Sequence, residues 1–117
     1  MMEIVNIALA ALTVGLGGFG FLAPRFTASA LDLETRGSTM GLSELRASAG
    51  GLFVALGLAC LLTGAGWLYA ALGVAYAGAA TGRAVSIAID RPPMPKAAVW
   101  FAFEALPATW LIAVNWP

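Results

Sequence analysis

The sequence contains no histidine, one cysteine (Cys60) and few charges, six Lys or Arg and six Asp or Glu among 117 residues. The lack of histidine removes the commonest metal ligand, the usual axial ligand of haem and the usual general base. A single cysteine excludes an intrachain disulfide. Zero net charge argues against a nucleic-acid partner, because binding phosphates requires clustered Lys and Arg. We therefore expect no catalytic residues, no cofactor and no metal site in a protein that is not an enzyme.

Hydrophobic residues make up 61% of the chain and charged residues only 10%. Soluble domains average about 45–50% apolar and about 25% charged residues. So few charges cannot cover a small globule, whose surface is large relative to its volume. The composition predicts an integral membrane protein, with residues 1–117 forming a single membrane domain.

Charge-free windows give the number of spans. Residues 4–24 can cross the roughly 30 Å hydrocarbon core as a helix, at about 1.5 Å per residue. This window exceeds the 7–15 apolar residues of a signal peptide and follows no basic segment, so we expect a retained span. Residues 47–82 are too many for one span and slightly too few for two spans with a turn. Two helices therefore share this window, and a turn at residues 63–66 joins them.

A fourth apolar run, residues 97–114, follows a proline-rich turn that no helix can cross. The predicted fold is an all-α, antiparallel bundle of four transmembrane helices at about 3–23, 43–63, 67–89 and 97–114. Residues 25–42 are expected to form a loop, and Ser43 can cap the second helix.

Stripes of small residues are expected to let the helices approach closely, because lipid supplies no hydrophobic drive for helix association. The predicted stripes are Ala8, Ala11, Gly15 and Gly18 on the first helix, Ala47, Gly51, Ala55 and Ala59 on the second, and Ala71, Ala75 and Ala79 beside Gly78 and Gly82 on the third. The fourth helix carries Trp100, Phe101 and Phe103 instead. This aromatic set either faces lipid or forms a docking surface for another protein.

The cations are distributed asymmetrically. All six flank the first and third connections: Arg25, Arg36, Arg46, Arg83, Arg91 and Lys96. Short loops follow the positive-inside rule. We therefore expect both termini on the non-cytoplasmic side, and localisation in the bacterial cytoplasmic (inner) membrane.

Two charges fall inside the predicted spans. Arg83 and Glu104 both lie roughly 10 Å deep on the predicted cytoplasmic side, so they can pair. The candidate polar cluster consists of Glu44, Arg46, Arg83, Asp90 and Glu104. One interpretation is that the arginines anchor the topology by snorkelling while the acids neutralise them. The other is that the cluster lines a pocket for a lipid headgroup or small anion, or passes protons.

Several short motifs resemble those of a known family. They are Leu22-Ala23-Pro24 closing the first helix, Glu44-Leu45-Arg46-Ala47 leading into Gly50-Gly51, Arg83 with Ser86 and Asp90, and Glu104 in the last helix. Together they resemble the small bacterial four-helix membrane proteins known as domain of unknown function 4345, over most of the chain. The sequence departs from that pattern at Ala49, where the family usually has an aromatic residue. The resemblance implies the four-helix fold and a shared polar feature formed by the candidate cluster, and it implies no activity.

The leading functional hypothesis is a non-enzymatic accessory or structural subunit packed against a larger membrane complex. The alternative is a homo-oligomeric small transporter, or a lipid- or small-anion-binding protein, that uses the charge cluster. Both hypotheses make membrane lipid a partner, and neither involves nucleic acid.

Overall fold

The computed structural model describes residues 1–117, and all of its regular structure is helical. The helices are α1 (Met2–Leu22), α2 (Pro24–Ala30), α3 (Met40–Thr63), α4 (Gly66–Ile89) and α5 (Lys96–Asn115). Each of them except the short α2 is long and apolar enough to cross a membrane. The prediction of an all-helical chain with four such helices is therefore confirmed. The chain divides into two compact units, essentially residues 1–63 and residues 64–117.

The segment after the first span differs from the predicted loop. Ala23 leaves helical geometry, and Pro24 then occupies the first position of α2, where its missing N–H and fixed φ suit a helix start. The next span begins at Met40, three residues before the predicted start. Ser43 therefore lies inside α3 and does not cap it, while the Ser38 hydroxyl accepts a hydrogen bond from the Met40 N–H at 3.0 Å.

In the first unit, α1 packs on a different face from the one predicted. Its buried residues are Asn6, Ala10, Thr13, Gly17 and Gly20, spaced three and four apart. By contrast, a Cβ atom added at Gly15 or Gly18 would meet nothing within 4 Å. The predicted stripe on α1 is wrong, because the buried face is the one that carries the polar side chains of Asn6 and Thr13, and small residues alone do not identify it.

A π-helical segment, Leu45–Leu52, sets the contact face of α3. Leu45 and Gly50 are both buried, a step of five residues where an α-helix would use three or four. The wider turn brings Gly50 to the interface, while Ala47 of the predicted stripe stays exposed. Further along, Gly57 is buried, while Ala55 of the predicted stripe is exposed.

Backbones meet directly where α1 and α3 approach. A Cβ atom on Gly50 would lie 2.5 Å from the Phe21 amide nitrogen and 2.8 Å from the Gly20 carbonyl carbon. A Cβ atom on Gly57 would lie 3.1 Å from the Ala10 carbonyl oxygen. Only glycine fits at position 50 without moving the backbone of α1, whereas a methyl group at position 57 would first meet the Val14 side chain, at 2.7 Å.

In the second unit, α4 and α5 approach at Gly73. A Cβ atom there would lie 2.9 Å from both the Leu111 and the Ile112 side chains. The predicted stripe on α4 is wrong as well, because Ala71 is exposed and a Cβ atom at Gly78 or Gly82 would meet nothing. On the other helix, α5 continues through Pro107, which is buried.

Hydroxyl side chains within the helices bond to their own backbone. Thr13, Thr27, Ser48, Thr63, Thr81 and Thr109 each donate to the carbonyl oxygen four residues earlier, at 2.7–3.0 Å. No buried side-chain nitrogen or oxygen lacks a partner. Polar groups in the hydrocarbon core of a membrane must find hydrogen-bond partners within the protein, because no water is present there.

Substituting Gly50→Ala should lower the free energy of unfolding by about 1–3 kcal/mol, because the new methyl group overlaps the backbone of α1. Thermal unfolding in detergent, followed by circular dichroism, measures the change. Gly18→Ala is the matched control in open space, and it should be neutral or stabilising by about 0.5–1 kcal/mol because alanine favours helix. Equal effects of the two substitutions would contradict the Gly20–Gly50 contact.

Candidate functional site

The second unit holds a bidentate ion pair within two spans. Arg83 Nε donates to Glu104 Oε1 at 3.0 Å, and Arg83 Nη2 donates to Glu104 Oε2 at 2.9 Å. The Arg83 side chain is 33% exposed and the Glu104 side chain is 14% exposed. Two parallel charge-assisted hydrogen bonds hold the guanidinium and the carboxylate in one plane, which is the strongest geometry available to such a pair.

Antiparallel packing explains why these two charges meet. Arg83 lies six residues before the end of α4, and Glu104 lies eight residues after the start of α5. At about 1.5 Å per residue, both therefore lie roughly 10 Å from the connection between the helices. The contact of Gly73 with Leu111 lies further from that connection, in the same antiparallel register. The pair neutralises two charges that would each be costly within apolar helices.

Asp90 is held by a different partner. The Ser86 hydroxyl donates to Asp90 Oδ2 at 2.8 Å across one turn at the end of α4. Both residues lie closer to the connection than Arg83, and the Asp90 side chain is exposed while Glu104 is half-buried. Asp90 therefore belongs to the helix terminus and not to the Arg83–Glu104 pair.

The other two residues of the candidate polar cluster lie in the first unit. Arg46 Nη1 donates to the Phe21 carbonyl oxygen at 2.6 Å, which satisfies a carbonyl in the last turn of α1. The Glu44 side chain is exposed, and its carbonyl oxygen accepts a bond from the Ser48 hydroxyl. Each unit thus contains its own part of the cluster, and a shared five-residue site stays a prediction.

The structure also contains a groove that the sequence did not reveal. It has a volume of about 840 Å³ and is bordered by the break between α1 and α2 and by the first turns of α3. Two arginines, Arg25 and Arg46, line it together with apolar side chains and two hydroxyls. The Leu22-Ala23-Pro24 motif marks one wall, but the π-helical segment beside the other wall has no readable sequence signal.

The aromatic residues of α5 are partly accessible. Trp100 and Phe103 contact each other, with ring centroids 6.0 Å apart and planes tilted by 51°. Phe103 is 51% exposed, while Trp100 and Phe101 are half-buried. Their role as a docking surface stays a prediction. No group of three or more His, Cys, Asp or Glu side chains is placed to hold a metal ion.

Four helices that are each long and apolar enough to cross a membrane indicate a helical membrane protein. A family model described as "Domain of unknown function (DUF4345)" matches residues 1–114, essentially the whole chain. The protein belongs to this family, which confirms the resemblance seen in its sequence motifs. No curated protein and no solved structure matches the chain.

Glu104→Gln and Arg83→Gln should each lower the free energy of unfolding by about 1.5–3 kcal/mol, because each leaves a charged partner without its hydrogen bonds. The double variant should lose less than the sum of the single losses, with a coupling of about 0.5–3 kcal/mol. Thermal unfolding in detergent measures all four proteins.

Asp90→Asn serves as the control for this cycle. It removes a carboxylate whose partner, Ser86, lies on the same helix, and it should change stability by less than about 0.5 kcal/mol. Strict additivity of the Arg83 and Glu104 losses would show that the pair contributes nothing as a pair.

Proposed function

We propose that this protein is a non-enzymatic accessory or structural subunit of a larger membrane complex in the bacterial cytoplasmic membrane. The observation that carries the proposal is an exposed apolar face of α5 that includes Phe103. This helix contacts α4 through small and aliphatic residues and through the Arg83–Glu104 pair, and it leaves Phe103 accessible.

The accessible face of α5 has the spacing of a helix–helix contact. Val99, Phe103 and Leu106 are all exposed, and they recur at intervals of four and three residues. Aromatic rings bury large areas at low entropic cost, so they dominate the energetics of interfaces. Lipid tails also cover apolar residues, so the test must distinguish a protein neighbour from lipid.

Site-specific photo-crosslinking makes that distinction. A benzophenone side chain at Phe103 in cells should give one discrete protein adduct heavier than a dimer of the 12.0 kDa chain. The matched control is the same probe at Val85 on α4, which is also 51% exposed and should report lipid only. Loss of the adduct on Val99→Ala together with Leu106→Ala would assign it to this face. Identical patterns at both probe positions would contradict the proposal.

The homo-oligomeric transporter or anion-binding protein is the second candidate. The observation that favours it is the Arg83 guanidinium, which keeps a third of its exposure within a span despite its pairing. A second copy of the chain is one way to cover it. An adduct of twice the chain mass in the same experiment, and nothing larger, would replace the accessory role by this alternative.

The asymmetry of the cations supports an orientation with both termini outside the cytoplasm. In a Cys60→Ala background, Trp116→Cys should react in intact cells with a membrane-impermeant maleimide. Ser38→Cys, in the first connection, should react only after lysis. The opposite pattern would reverse the proposed topology.

A further inference from the structure

The groove between the end of α1 and the start of α3, here called the arginine groove, carries an inference of its own. Its lining includes Arg25, Arg46, Thr39 and Ser43, together with apolar side chains such as Leu22 and Phe26. Most of this lining is apolar, two side chains are cationic and two carry hydroxyls. None is acidic, since Glu34 lines only the smaller neighbouring groove of about 420 Å³.

The two arginines of the groove have no carboxylate partner. The ion pair of the spans belongs to Arg83 and Glu104, and neither Arg25 nor Arg46 forms a salt bridge. A guanidinium group has five N–H donors, and the bond to Phe21 uses one from Arg46. Two positive charges and their free donors therefore share one concave surface with the hydroxyls of Thr39 and Ser43.

The fold holds Arg46 in place before any ligand arrives. Its bond to the Phe21 carbonyl depends on the close approach of Gly20 and Gly50, which brings the end of α1 to α3. A planar guanidinium fixed at one nitrogen loses little further entropy when its other nitrogens bind an anion. Phosphate oxygens match this donor geometry, as carboxylates do.

The apolar walls and the location of the groove indicate which kind of molecule bears the phosphate group. Leu22 ends an apolar span, and Phe26 on α2 packs against Phe19 of that span with ring centroids 5.8 Å apart. The groove thus places two arginines beside the end of an apolar span. A phospholipid at the membrane surface has the matching arrangement, with its phosphate group next to its acyl chains. Without an acidic side chain, the groove has no partner for the cationic headgroup of a zwitterionic lipid.

We propose that the arginine groove binds the phosphate group of an anionic membrane phospholipid, whose acyl chains follow the apolar end of α1. Arg46 and Arg25 contact the phosphate, and Thr39 and Ser43 donate to its oxygens. This site is distinct from the Arg83–Glu104 pair and does not depend on the accessory role.

Native mass spectrometry of the delipidated protein, titrated with phosphatidylglycerol or with phosphatidylcholine, tests the proposal. The wild type should bind one phosphatidylglycerol more tightly than phosphatidylcholine. Arg25→Gln and Arg46→Gln should each weaken phosphatidylglycerol binding by about tenfold, which corresponds to about 1.4 kcal/mol. Arg91→Gln is the matched control, because it removes the same charge from an exposed arginine outside the groove.

Arg25→Gln keeps the test decisive even if Arg46→Gln unfolds, because Arg25 holds no side-chain bond that the fold needs. An unchanged affinity in Arg25→Gln would overturn the proposal. So would an equal loss in Arg91→Gln, which would indicate a general effect of net charge. Equal binding of the two lipids would overturn it too.

Inorganic phosphate at the same concentration as the lipid separates the two sources of a phosphate group, because only the lipid gains affinity from its acyl chains. Failure of phosphate to displace the lipid supports a site for phospholipid. Displacement that Arg25→Gln abolishes would overturn the lipid as the source and make the groove a site for free phosphate.

Discussion

Direct backbone contact between Gly20 and Gly50 is the constraint on which the first unit depends. Within a membrane, helices gain nothing from hiding apolar surface, so association rests on packing and on interhelical hydrogen bonds. A side chain at Gly50 would meet the Phe21 amide at 2.5 Å, so any larger residue separates α1 from α3. The same closeness lets Arg46 reach the Phe21 carbonyl and gives the arginine groove its walls. The contact between Gly20 and Gly50 therefore determines both the packing of α1 on α3 and the shape of the arginine groove.

The π-helical turn of α3 is what makes that contact available. An α-helix that buries Leu42 and Leu45 would next present residue 49 to the same face, and Ala49 carries a methyl group. The extra residue of the π segment presents Gly50 instead. π-helical segments are rare within α-helices, and they are frequent at functional sites. Here the segment starts one residue before Arg46, so the irregular backbone, the glycine contact and the cation of the groove occur together.

The number of spans and the meeting of Arg83 with Glu104 were predictable because each follows from length alone. Charge-free windows give the spans, and equal distances from a short connection place two charges at one depth. The contact faces were not predictable from small residues alone, because alanine and glycine recur on several faces of each helix. Gly15 and Gly18 matched the expected stripe as well as Gly17 and Gly20, yet only the latter pair is buried. A π segment also leaves no compositional trace, so the sequence could not reveal the arginine groove.

Arg83 and Arg46 differ in their bonding partners, and the difference distinguishes a cation that anchors the topology from one that recognises a ligand. Arg83 is neutralised within the chain by Glu104, and its donors Nε and Nη2 are already bound. Arg46 is oriented by a neutral carbonyl, so its charge is positioned without being cancelled. A cation that only sets topology gains nothing from a fixed direction, because water and headgroups solvate it in any conformation. A guanidinium that keeps its charge and is held in one orientation favours an anion whose oxygen atoms accept hydrogen bonds from fixed directions. The bonding of Arg46 therefore argues that it recognises such an anion.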